Sequence, residues 1–156
     1  MQIVLHDIVY SKPFSVLTSL VTACSYSHGS LMIDKKIYDT TMTRGYFDQA
    51  QDLHSQGGRE VTIIDVPEID SIESFLMLAI GKKYDTAGLL LWPFDYHSKN
   101  KWFCFEAVVE CLRHYGIDIN PDNRPIDGDK IFDYFSQHKY KIYRVRSMDV
   151  DYSWFK

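Results

Sequence analysis

Residues 102–112, near the middle of the chain, read WFCFEAVVECL and place Cys104 at the start of a periodic segment. Apolar residues recur here at spacings of three and four, which predicts an amphipathic helix that ends at Gly116. They are Val108, Val109, Leu112 and Tyr115. Backbone N–H groups at a helix start favour a thiolate and can hold an oxyanion. Cys104 is therefore a candidate nucleophile, although the same position suits a buried, unreactive thiol.

Length and composition predict one domain that spans residues 1–156. A chain of 156 residues with 46% hydrophobic and 24% charged residues can bury a core and is not typical of disorder. Its net charge is −4, and no basic run exceeds a lysine pair, so nucleic acid is not expected as a partner. No segment resembles a signal peptide or spans a bilayer. The expectation is a cytoplasmic protein of viral or bacterial type.

The three cysteines do not form a metal-binding or redox motif. Cys24, Cys104 and Cys111 include no C-x-x-C spacing, which predicts reduced thiols, and we expect Cys24 and Cys111 to be buried. Cys104, Cys111 and His114 fit no standard zinc spacing. We expect neither a metal nor a cofactor.

Hydrophobic periodicity and turn residues predict a mixed α+β chain. The predicted strands are 2–10, 59–66 and 140–146, and the predicted helices besides the Cys104 helix are 14–24, 70–80 and 127–137. Residues 45–56 are predicted to form a short helix or an ordered loop, and residues 86–94 a buried segment. The apolar stripe of the first helix consists of Val16, Leu17, Leu20 and Val21.

Residues 26–33 and 36–42 predict a β-hairpin with a two-residue turn at 34–35. With that turn, His28 and Asp39 become diagonal neighbours on one face of the hairpin, ~7–8 Å apart at the backbone. A carboxylate in this position can reach an imidazole and fix its tautomer. A one-residue change in the turn would instead move Asp39 to the opposite face.

Short motifs occur in the order Ser27-His28, Tyr38-Asp39, Gly81-Lys82-Lys83-Tyr84-Asp85, Phe103-Cys104-Phe105-Glu106 and Arg124-Pro125-Ile126-Asp127. This order, with the histidine strand before the cysteine helix, resembles the circularly permuted branch of the NlpC-type papain-like cysteine enzymes. That branch includes the YiiX-like group and relatives of lecithin retinol acyltransferase. The resemblance covers about residues 1–137.

The resemblance implies a permuted papain-like fold, in which an antiparallel half-barrel sheet packs on helices that include the cysteine helix. It also implies a Cys-His-Asp triad in which His28 takes the proton of Cys104 and Asp39 orients the imidazole. The hydroxyl of Tyr26 would help to bind the oxyanion. Apart from the resemblance, Glu106 is placed to steady the helix start or contact a substrate amine, and a surface position without either role is the alternative.

The chain departs from the family pattern at two positions. Phe105 stands where the family has a serine, and Asp39 where the family more often has glutamate or histidine. Thr41 and Asp48 are therefore alternatives to Asp39 as the residue that orients the imidazole.

The expected activity is that of a thiol hydrolase of amidase or peptidase type. It would cleave an amide or ester bond of a peptide, isopeptide or acyl-type substrate through a thioester. One alternative is a thiol acyltransferase of the same fold, which differs only in the group that attacks the thioester. Another is a catalytically silent interaction module that uses an aromatic groove.

Overall fold

A computed structural model describes residues 1–42, 45–49, 52–94, 96, 98, 100–122 and 126–155. In this part of the chain an antiparallel sheet packs against helices, which confirms the α+β class. The strands are β1 (Gln2–Asp7), β2 (Tyr26–Ile33), β3 (Lys36–Thr41), β4 (Gly45–Gln49), β5 (Glu60–Asp65), β6 (Lys83–Tyr84), β7 (Lys101–Trp102) and β8 (Ile142–Arg146). The helices are α1 (Pro13–Thr22), α2 (Glu73–Ala79), α3 (Thr86–Leu90), α4 (Cys104–His114) and α5 (Gly128–Gln137).

The main sheet has the strand order β4-β3-β2-β1-β5-β8, and each neighbouring pair is antiparallel. Helices α4 and α5 pack against β2, and α1 contacts the same strand. The two remaining strands, β6 and β7, form a small parallel pair beside β3 and β4. Strand β2 therefore lies inside the sheet and under the cysteine helix.

Apolar side chains fill both faces of the sheet because successive residues of a strand point to opposite sides. Ile3 and Leu5 join the core formed with the helices, while Val4 belongs to a second cluster on the other face. Phe75, Phe105 and Phe135 are the largest side chains that α2, α4 and α5 bury in the first core.

The hairpin of β2 and β3 has the predicted register. Asp34 and Lys35 have φ values of 48° and 67°, the left-handed pair that a two-residue turn requires. The paired residues are Leu31 with Tyr38, Met32 with Ile37 and Ile33 with Lys36. The register prediction is thus confirmed over the part of the hairpin that is paired.

Two predicted segments differ from the structure. Residues 45–49 form strand β4 at the edge of the sheet, where a helix or loop was expected. Gly45 has a φ of 73°, and a Cβ atom there would collide with the carbonyl oxygen of Lys82. Residues 86–94 form α3 and a short 3-10 turn, and only part of this segment is buried, since Leu90 and Phe94 are exposed.

Helix α1 has the opposite orientation to the one its apolar stripe suggests. Thr18 and Thr22 are its buried side chains, whereas Leu17 and Leu20 are exposed. The threonine hydroxyls donate to carbonyl oxygens of the same helix, so they can be buried without a further partner. None of the helices in the described ranges has the length and apolar content needed to cross a bilayer.

A glycine lets α4 lie close to β2. A Cβ atom on Gly29 would stand 2.8 Å from Cδ1 of Phe105 and 3.5 Å from Val108. Gly128 at the start of α5 is similar, since a Cβ there would be 3.0 Å from the Phe105 ring. The buried ring of Phe105 therefore fits only because both neighbours lack a side chain.

We expect Gly29→Ala to lower the free energy of unfolding by about 1–3 kcal/mol, because the new methyl group forces the Phe105 ring or helix α4 to shift. Urea unfolding measures this loss. Phe105→Leu, tested alone and with Gly29→Ala, serves as the control. The double variant should lose less than the sum of the single losses, and strictly additive losses would contradict the proposed contact.

Candidate active site

His28 and Asp39 meet on neighbouring strands. Nε2 of His28 donates to Oδ2 of Asp39 over 2.9 Å. The Asp39 carboxylate is buried, and 23% of the His28 side chain remains exposed. Because Nε2 faces the carboxylate, Nδ1 is the ring nitrogen that can take a proton from another group.

Cys104 is the first residue of α4, where the extended Phe103 precedes the helix. Burial alone would lower the pKa of His28. The negative charge of Cys104 and hydrogen bonds to Asp39 and Cys104 act in the opposite direction and raise that pKa to about 10. The structure therefore brings together the cysteine, histidine and aspartate that the sequence singled out, and it favours a protonated His28.

His6 of β1 lies directly behind His28, and the sequence did not reveal it. The two residues are cross-strand partners, and their ring centroids are 5.3 Å apart. Nε2 of His6 shares a hydrogen bond of 2.8 Å with Ser30, and within the described ranges its buried Nδ1 has no partner. Burial and the charges of His28 and Arg59 hold the pKa of His6 well below its usual value. A neutral ring therefore packs against the imidazole that carries charge.

Of the two alternatives to Asp39, Thr41 is the one whose side chain lies in the described part of the chain, and it does not hold the imidazole. The hydroxyl of Thr41 has no hydrogen-bond partner in the described part of the chain, although it is buried. The side chain of Asp48 lies outside the described residues, as do Arg124 and Pro125 of the last motif. The carboxylate that contacts the His28 ring is that of Asp39.

Glu106 stabilises the helix start. Its carboxylate accepts the backbone N–H of Phe103 over 3.0 Å, which is the side-chain-to-backbone half of a capping box. Burial raises the pKa of Glu106 to about 8, and the nearby charges of Asp85 and Glu110 add to this, while the bond to Phe103 opposes it. Glu106 thus holds the turn that carries Cys104.

The hydroxyl of Tyr26 does not have the partner that the sequence suggested. It donates to Thr62 Oγ1 over 3.2 Å, and the Tyr26 ring lies near Phe132 of α5. Cys104 is not among the groups that shift the pKa of Tyr26, which burial raises. This hydroxyl is engaged inside the core, so Tyr26 is corrected from oxyanion donor to core residue.

Tyr84 is the phenol whose pKa the charge of Cys104 affects. Burial raises the pKa of Tyr84, and the charges of Cys104 and Glu106 raise it further. Asp85, the next residue, caps helix α3. Its carboxylate accepts the N–H groups of Gly88 and Ser98.

The other two cysteines are buried, as expected, and differ from Cys104 in their surroundings. Burial raises the pKa of Cys24 and that of Cys111 to about 12. Sγ of Cys111 donates to Sδ of Met1, and His114 contacts Ser74. Cys111 and His114, two of the three residues considered as zinc ligands, therefore each have another partner.

Cys24, Asp127 and Asp129 offer possible ligand atoms within 4.8 Å of one another. Each of these groups already has a structural partner. Sγ of Cys24 accepts the Tyr26 N–H, Asp127 caps α5, and Asp129 accepts the Ser25 N–H. Capping explains this cluster without a metal ion.

Comparison of the chain with family models, with curated proteins and with solved structures finds no match. The interpretation of the site therefore depends on its own geometry.

We expect Glu106→Gln to become more stable relative to the wild type as pH rises. Between about pH 5 and pH 8 the unfolded chain releases a proton that folded Glu106 retains, so the wild-type free energy of unfolding falls with pH by roughly 1–2 kcal/mol. Glutamine keeps the acceptor for Phe103 but has no such proton. Thermal unfolding across this pH range measures the difference.

A Glu106→Gln difference that stays constant across this pH range would contradict the raised pKa of Glu106.

Proposed function

We propose that this protein is a thiol hydrolase of amidase or peptidase type, with Cys104 as nucleophile, His28 as general base and acid, and Asp39 as the residue that orients His28. One observation carries the proposal. His28 is held between a buried carboxylate and a helix-start cysteine, and these neighbours raise its pKa to about 10 although burial opposes the shift. Three residues arranged in this way generate a nucleophilic thiolate at neutral pH.

Before the substrate binds, the thiol proton of Cys104 already lies on Nδ1 of His28. The thiolate attacks the carbonyl carbon of an amide or ester, and a tetrahedral intermediate forms. His28 then gives its proton to the leaving amine or alcohol, which leaves an acyl thioester on Cys104. Water, deprotonated by His28, attacks the thioester and releases the acid and the free thiol. No cofactor takes part in these steps.

Two groups support the charge that develops on the carbonyl oxygen. The backbone N–H of Cys104 lies at the start of α4, where the helix dipole favours an anion. The second is the phenol of Tyr84, whose pKa is raised by burial and by the charge of Cys104. We assign Tyr84, and not Tyr26, as the side-chain donor of the oxyanion site.

The permuted papain-like fold is part of the same proposal. Supporting observations are the antiparallel sheet against helices, the order His28, Asp39 and Cys104 along the chain, and the contact of α4 with β2 and β3. Peptides, isopeptides and acyl esters are the candidate substrates. An acyltransferase would use the same residues and pass the acyl group to an amine or alcohol instead of water.

Limiting iodoacetamide at neutral pH should modify Cys104 well before the other thiols. Cys24 and Cys111 remain protonated because burial raises the pKa of each to about 12. Intact-mass analysis and peptide mapping measure the order of modification, with Cys104→Ala as the control. Equal modification of all three cysteines in the folded protein would rule out Cys104 as the activated thiol.

The pH dependence of the alkylation rate distinguishes activation of Cys104 by His28 from simple exposure of the thiol. His28 remains protonated up to about pH 10, so the wild-type rate of alkylation should change little between about pH 6 and pH 9. With His28→Gln the rate should rise through the usual thiol range near about pH 8.5. Turnover of an acyl substrate should fall above about pH 10 as His28 loses the proton it donates. Identical alkylation profiles for both proteins would contradict the proposed pair.

Asp39→Asn should reduce turnover by roughly 10²–10⁴-fold while leaving the fold intact, because an amide cannot stabilise the imidazolium as a carboxylate does. The loss should be smaller than that of Cys104→Ala. Hydrolysis of an activated acyl ester, with a melting curve as the folding control, provides the comparison. Undiminished turnover would assign the orienting role to another residue.

A further inference from the structure

Helix α1 presents leucines to the solvent and threonines to the core. Thr18 and Thr22 are buried, and each hydroxyl donates to a carbonyl oxygen of its own helix. Leu17 and Leu20 lie on the outside, and Leu20 is 74% exposed. A surface helix normally buries its apolar stripe, so the outer face of α1 is suited to contact something apolar.

A second exposed apolar segment adjoins this helix. Helix α1 packs against α3 and against the 3-10 turn Trp92–Phe94 that follows it. Exposed apolar patches of this kind mark sites of protein or membrane contact. We call the exposed large residues of α1, α3 and that turn the apolar rim, which consists of Phe14, Leu17, Leu20, Leu90, Leu91 and Phe94.

The chain segments around the apolar rim are cationic, although the whole chain has a net charge of −4. Residues 10–23 and 80–103 carry five lysines, which are Lys12, Lys82, Lys83, Lys99 and Lys101, and two carboxylates, which are Asp85 and Asp95. Asp85 is buried, and both of its oxygens accept backbone N–H groups.

Three of these lysines line one open cavity of about 410 Å³ beside the small parallel pair of strands. Lys83 and Lys101 are partners in that pair, and Lys82 lies over the Trp102 ring at 4.5 Å. The rim adjoins them, since Phe14 contacts the ring of Tyr84, the residue after Lys83, with centroids 6.5 Å apart. Through Tyr84 the segment that carries these lysines adjoins the apolar rim, and the two together are the candidate docking face.

We propose that this face docks on an anionic lipid surface, with the lysines at the headgroups and the apolar rim in the outer part of the acyl layer. Lysines beside exposed apolar side chains are the combination that such an interface attracts. A second copy of the chain is a poorer occupant, because a two-fold dimer through this face would bring the lysines of both copies together.

The proposal concerns where the protein docks and not which bond it cleaves. Its test therefore uses Cys104→Ala protein, in which the proposed nucleophile is absent and vesicle binding should persist. If the wild-type protein binds vesicles but hydrolyses no acyl substrate, the proposed hydrolase activity is contradicted and the docking face is not. A protein that alkylates as expected but ignores vesicles would overturn this inference alone.

Co-sedimentation with vesicles of phosphatidylcholine, alone or mixed with phosphatidylserine, is the experiment. We expect binding to the anionic vesicles that weakens with added salt, and much weaker binding to the neutral ones. Lys82→Gln with Lys83→Gln should lower the affinity roughly tenfold to thirtyfold. Equal binding to both kinds of vesicle, or binding to neither, would overturn the proposal.

The other lysine pair supplies a matched control. Lys35→Gln with Lys36→Gln removes the same charge at the hairpin turn, and Lys35 lies over the Tyr152 ring at 5.3 Å much as Lys82 lies over Trp102. This pair should leave the affinity nearly unchanged. Equal losses from both pairs would indicate a response to net charge and overturn the docking face.

The apolar contribution is tested with Leu20→Ser and Phe94→Ser, each of which should weaken binding to anionic vesicles roughly tenfold. Met148→Ser, at an exposed methionine outside the rim, is the control and should have little effect. Light scattering measures whether the free protein is a monomer or a dimer. A dimer that Leu20→Ser dissociates would show that a second copy covers the face and would overturn the lipid assignment.

Discussion

The close approach of α4 to β2 is the constraint on which the rest of the structure depends. The Phe105 ring occupies the space that side chains at Gly29 and Gly128 would fill. This contact places the first residue of α4 beside the strand that carries His28. Phe105 also stands where the resembling family has a serine, so the departure from the motif enlarges the core directly after Cys104. The position of the thiol is thus set by an apolar contact, and its chemistry by the polar groups around it.

The polar groups around His28 oppose the effect of burial on its pKa. Removing His28 from water disfavours its charge, and the neighbouring Asp39 and Cys104 more than offset that cost. Glu106 has no cationic neighbour among the causes of its shift, so burial raises its pKa to about 8. His6 stays neutral beside His28 for the same reason. The site therefore keeps His28 charged and withholds charge from His6 and Glu106, which is a pattern typical of functional sites.

Contacts between residues that are close in the sequence were predictable, whereas contacts between strands joined by long connections were not. The turn at Asp34 and Lys35 fixes the hairpin register, so the approach of Asp39 to His28 follows from counting. His6 reaches His28 only because β1 pairs with β2 across the whole of α1, and no local pattern reports that pairing. Periodicity likewise separates the leucine face of α1 from its threonine face without showing which one meets the sheet.

The three thiols of this core differ in their surroundings and not in their burial. All three cysteines are buried, and each is within reach of either a backbone donor or another side chain. Only Cys104 begins a helix and faces an imidazole whose pKa it helps to raise. Cys111 lies two turns further along the same helix, where no N–H group remains unpaired, and burial dominates its pKa. The first turn of α4 therefore converts an otherwise apolar environment into one that can stabilise a thiolate.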